Sequence, residues 1–148
     1  MPNIFCLSPG LAEEDRFTAS LNYVIDCFPS IGQAVSDYLL SSAGLQTSKF
    51  LRSTDHPSGS AEDRPDFLLE SEEIDIECEH KINSPLGHKQ LERYLKLQRG
   101  KPFVLALISN GICRVSGEVI NDDSYISPID SDVPHFLWHS IYPLIQNN

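Results

Sequence analysis

Residues 74–82, IDIECEHKI, alternate strictly between apolar and polar positions. Ile74, Ile76, Cys78, His80 and Ile82 hold one parity, while Asp75, Glu77, Glu79 and Lys81 hold the other, with Glu73 just before them. A period of two predicts a strand with an apolar face and a polar face. Upstream the period changes to a helical one. GLAEEDRFTASLNYVIDCF places Phe17, Leu21, Val24, Ile25 and Phe28 on one stripe, and Pro29 stops it. Ser30 reads as the N-cap of a second helix, IGQAVSDYLLSSAGL, with a stripe of Ile31, Ala34, Val35, Tyr38 and Leu39 and with Gly44 as terminator.

TSKFLRSTDH predicts a first strand, HPSGSAEDRP a turn or loop, and DFLLE a short strand. SEE is a tight connection, so the alternating stretch becomes the hairpin partner of DFLLE. SPLGHKQLERYLKLQRG predicts a helix closed by Gly100, and KPFVLALISN a central strand covered on both faces. GICRVSGEVI predicts a further strand, and PHFLWHSIYPLI a short terminal helix. Helices flanking a central sheet place residues 1–148 in one α/β or α+β domain, a three-layer sandwich.

Composition changes this picture little. The chain is 41% hydrophobic and 22% charged, which is ordinary for a globular domain. No apolar run reaches membrane-spanning length, and the opening MPNIFCLSPGLAEED lacks a basic n-region, so neither a membrane span nor a secretory leader is expected. Cys6, Cys27, Cys78 and Cys113 form no CxxC pair, which argues for reduced thiols and a cytoplasmic setting. The net charge of -10 argues against a broad basic face that coats nucleic acid. It leaves room for phosphate gripped at one focused, metal-bearing site.

The acidic stripe poses the chemical question, because like charges along one strand face repel. The hairpin sets Asp66 at the start of one strand, with Glu79 and Lys81 one pleat apart on the next. Two carboxylates from adjacent strands suit a hard divalent cation, which takes one or two protein oxygens plus water and substrate phosphate. Such an ion cancels the repulsion. Lys81 beside them is expected to stay charged.

Pro65-Asp66 followed by Glu79-His80-Lys81 resembles the PD-(D/E)XK nuclease superfamily. GHKQLERYL adds Gln90 and Tyr94 at the Q-x-x-x-Y spacing of its RecB-like branch, and that spacing puts both on one helix face. The resemblance spans roughly residues 11–109. It implies a restriction-endonuclease-like α/β fold with an αβββαβ core, here with an extra N-terminal helix and a C-terminal helix. It also implies a Mg2+-dependent nuclease, Mn2+ being able to substitute, in which water activated at the metal attacks a phosphodiester of nucleic acid, DNA first. Asp66 and Glu79 are then metal ligands, Lys81 the charge stabiliser, and Gln90 and Tyr94 positioning groups. Glu14, with Glu13 second, is the helical glutamate that approaches the metal in many members.

Plainer readings stand beside these. The acidic stripe suits an edge strand charged against aggregation. Glu13 and Glu14 suit the positive end of a helix dipole. Glu77 reads as a solvated neighbour of Glu79, His80 as a core histidine, His88 as a surface residue and Tyr94 as packing beside Leu91. Lys89, Arg93 and Lys96 form either a small basic strip or an ordinary solvated helix face. A non-catalytic binding module and a small-molecule phosphoesterase remain as alternative functions. A homo-oligomer or a larger assembly, in phage defence or repair by analogy, remains as the setting.

Overall fold

The computed structural model describes residues 13–56 and 64–148. The opening stretch with Cys6, and most of the expected HPSGSAEDRP turn, lie outside these residues. Helix α1 runs Glu13–Cys27 and α2 runs Pro29–Ser42. Pro29 therefore does more than stop α1. It occupies the first position of α2 behind Phe28 as N-cap, displacing Ser30 from the capping role the sequence suggested. A proline fits there because the first helical N–H has no intrahelical partner anyway. Gly44 closes α2 at φ 77°, its N–H donating to Ser41 O at 3.0 Å while Leu45 N–H returns to Leu40 O at 2.9 Å.

The chain then builds β1 (Phe50–Asp55), β2 (Phe67–Ser71) and β3 (Asp75–Lys81), crosses over through α3 (Gln90–Leu95), and enters β4 (Phe103–Ser109). β1, β2 and β3 form an antiparallel meander, and β4 lies parallel to β3. The outer edge of β4 is shared by two short parallel strands. β5 (Tyr125–Ile126) pairs with Leu105 and Ala106, and β6 (Phe136–Leu137) with Ile108 and Ser109.

Alternation along β3 and β4 feeds two cores. Ile76, Cys78, Val104, Ala106 and Ile108 pack under α1, α2 and the terminal helix α5 (Trp138–Gln146). Leu105 and Leu107 pack on the other face with Leu91 and Tyr94 of α3 and Val119 of α4 (Gly117–Ile120). The result is a mixed α/β sandwich with β4 buried on both faces, as its continuous apolar run requires. No helix among the described residues is long and apolar enough to cross a membrane.

Three further expectations are corrected. GICRVSGEVI is not a strand: residues 111–116 are irregular, and Ser116 caps the single turn of α4 through Val119 N–H at 3.3 Å. The edge of β4 that such a strand would need is taken by β5 and β6. The helix expected over 84–100 shrinks to Gln90–Leu95. Lys89, at φ 48°, turns the chain just before it, and Arg99 donates to the carbonyls of Tyr94 and Leu97 behind it. Phe136 and Leu137 are strand, so the terminal helix starts at Trp138. Of the cysteines described, Cys78 is a core residue, whereas Cys27 is exposed and Cys113 half-buried, and all three are free thiols.

Candidate metal centre

The acidic face of β3 is not a bare stripe of like charge. Asp75 pairs with Lys101 at 2.8 Å. Glu77 takes a two-pronged guanidinium contact from Arg99, whose Nε lies 2.9 Å from Oε1. Arg99 also stacks 3.7 Å over the Phe103 ring. Both cations come from the α3–β4 connection, far from β3 in sequence. Glu77 is thus a structural neighbour held by arginine, not a solvated one.

Glu79 differs from the other two. Its side chain is 1% exposed, with the Gln90 side chain of α3 against it. Lys81 Nζ stands 3.2 Å from Glu79 Oε1 and 3.9 Å from Glu14 Oε2. Gln90 donates from Nε2 to Glu79 Oε1 at 2.5 Å and to the Tyr94 hydroxyl at 2.8 Å. Glu79 Oε2 is buried and meets no hydrogen-bond partner among the described residues. The Phe67–Cys78 register puts the preceding residue, Asp66, across from Glu79. Asp66 Oδ2 accepts the backbone N–H of His80 at 2.9 Å.

Site residues from α1, the start of β2, β3 and α3 therefore converge. Glu14, Asp66, Glu79, Lys81, Gln90 and Tyr94 all take part. Glu13 does not reach Lys81; it accepts from Asn83 of the following loop. His80 points to the other core, as alternation implies, with Nδ1 2.8 Å from Thr18 Oγ1 and the rings of Phe17, Phe67 and Trp138 around it. His88 is exposed. Arg99 and Ser84 had no sequence signal. Arg99 sits in a short irregular segment, and its partner Glu77 is 22 residues away.

Burial, and then the Asp66 charge, raise the Glu79 carboxyl well above the carboxylate range despite Lys81. Burial raises Asp66 as well, against the His80 amide and Lys81, with Glu14 and Asp15 adding repulsion. Burial would also raise Glu14, but the Ser84 hydroxyl, the Ile82 amide and Lys81 outweigh it and hold that carboxyl below its ordinary value. Two neighbouring carboxylates that resist ionisation, one with an uncommitted buried oxygen, suit a cation that replaces their protons. Among the described residues no cluster of three or more His, Cys, Asp or Glu side chains forms a ready metal cage. A hard divalent cation needs only one or two protein carboxylates, so Asp66 and Glu79 fit Mg2+ better than they fit zinc.

No protein-family model, curated protein or solved structure matches the chain.

Proposed function

We propose that the protein is a divalent-metal-dependent nuclease on a restriction-endonuclease-like fold, hydrolysing phosphodiester bonds of nucleic acid, DNA first. Support for the fold comes from the order α, β, β, β, α, β after the extra helix, with an antiparallel meander and a parallel fourth strand. The observation that carries the function is the uncommitted buried oxygen of Glu79 beside Asp66, with Lys81 Nζ 3.2 Å from the other oxygen.

Asp66 and Glu79 would hold Mg2+ or Mn2+. When bound, the ion polarises the phosphate and lowers the pKa of a water. The remaining work falls to the chain. Gln90 fixes Glu79 through Oε1, leaving Oε2 as the oxygen for a ligand, and the Tyr94 hydroxyl fixes Gln90 in turn. Lys81 brings positive charge to a place where a transferring phosphate gains negative charge. The charge of -10 implies weak binding to free nucleic acid, and whatever contacts are made to phosphates weaken steeply as salt rises, so activity is sought at low salt.

The test is digestion of plasmid and oligonucleotide DNA against Mg2+ and Mn2+ at low salt, beside calorimetry of Mn2+ binding. Asp66→Ala should abolish binding and cleavage, and Lys81→Ala should abolish cleavage with binding retained. Mn2+ binding unaffected by Asp66→Ala, together with no cleavage by the wild type, would refute this function.

A further inference from the structure

We propose that Ser84 is a positioning residue of this site, acting through Glu14 on Lys81; its effect on turnover rests on the metal-dependent reading above, while its effect on structure does not. Glu14 lies in the first turn of α1, and Ser84 lies in the loop that leaves β3 just after Lys81. Three donors converge on one carboxylate oxygen, Glu14 Oε1. They are the Ser84 hydroxyl at 2.6 Å, the Ile82 amide at 3.0 Å and the Ser84 amide at 3.3 Å. A carboxylate gripped three times on one oxygen has little freedom to rotate, so the direction of Oε2 is set as well. That second oxygen is the one 3.9 Å from Lys81 Nζ.

Lys81 is therefore held between two carboxylates from different elements, Glu79 beside it and Glu14 across from it. The same loop is fastened again by Asn83 Nδ2 to Glu13 Oε2 at 2.5 Å, and at its far end by the Gly87 amide to Gln90 Oε1 at 3.0 Å. Both fastenings of the loop to Glu14 and Gln90 thus use side chains that also contact Lys81 or Glu79. Ser84 is exposed and fills no part of either core. The partner of its hydroxyl is Glu14. With Oε1 engaged by the loop and Oε2 facing Lys81, the role this assigns to Glu14 is to orient the lysine rather than to hold the metal.

The experiment pairs amide hydrogen exchange, followed by NMR in the metal-free protein, with kcat, KM and Mn2+ calorimetry. Ser84→Ala should speed exchange at Ile82 about tenfold and lower kcat about tenfold, the loss of one hydrogen bond to a charged group. KM and Mn2+ affinity should not change, and Ser84→Thr should restore both losses. Glu14→Gln should lower kcat at least as far with Mn2+ affinity intact, and adding Ser84→Ala to it should lower kcat no further. Wild-type exchange at Ile82 in Ser84→Ala overturns the proposal. So do losses that add to those of Glu14→Gln, or weakened Mn2+ binding in Glu14→Gln. Faster Ile82 exchange in Ser84→Ala, in a protein that cuts no nucleic acid, supports the clamp and refutes the nuclease function alone.

Discussion

Glu79→Gln separates the charge of the buried side chain from its shape. The amide keeps an Oε1 that can accept from Gln90 and Lys81, and removes only the carboxylate. Burial, followed by the charge of Asp66, pushes Glu79 from 4.5 up to about 8. Below about pH 4.5 the residue is protonated whether the chain is folded or not, and the stability linked to it is fully present. As pH rises toward 8 the unfolded chain gives up that proton while the metal-free fold retains it, so stability is progressively lost. At about 1.4 kcal/mol per pKa unit the window amounts to on the order of 5 kcal/mol. A domain of this size has only about 5–15 kcal/mol in total. His80 works in the opposite sense. Burial, and then Lys81, hold it down at about 3, so its contribution is present above 6.5 and lost as pH falls toward 3. The readout is therefore the difference between variant and wild type, which cancels His80. In urea unfolding with chelator, from about pH 5 to pH 8, Glu79→Gln should gain on wild type at up to about 1.4 kcal/mol per pH unit. Mn2+ should close the gap by stabilising the wild type alone. A difference that does not change with pH would refute the burial argument.

Arg99→Ala should destabilise the protein by about 3 kcal/mol in urea, since it strips a paired charge from Glu77 and two donors from the end of α3. Adding Glu77→Gln should recover part of that loss, and no recovery would mean the carbonyl contacts dominate. Gly44→Ala should lower stability by about 1 kcal/mol through its positive φ, and by more because the new Cβ would lie 2.6 Å from Ile129 Cδ1. Combining it with Ile129→Ala should remove the clash and leave the backbone penalty of about 1 kcal/mol, read from thermal melts.

Much of the site was legible because its spacing is local. The alternation around Glu79 and Lys81 assigns them to one face, and Gln90 and Tyr94, four apart, share a helix face even though that helix is only one and a half turns long. What stayed hidden was how deeply Glu79 is buried. A charged parity in a strand reads as exposed, yet β3 is buried on both faces from Cys78 to Lys81. The strand expected at GICRVSGEVI failed for a similar reason. Its residues tolerate an extended conformation, and the competition for the edge of β4 is settled by β5 and β6, which lie further along the chain.

Sequence alone determined the periods, the parity of the side chains on β3, the centre of the α1 stripe at Leu21 and Ile25 though not Phe28, which is exposed, the stripe of α2, and the glycine that ends α2. These depend on backbone geometry repeated over a few residues. Tertiary structure alone decided which cation meets which acid: Lys101 for Asp75, Arg99 for Glu77, Lys81 for Glu79. It also decided that Glu14 rather than Glu13 reaches the lysine, and that one oxygen of Glu79 is left buried without a hydrogen-bond partner among the described residues. Desolvation and ion pairing depend on neighbours in space, and here those neighbours come from segments up to 70 residues apart in the chain.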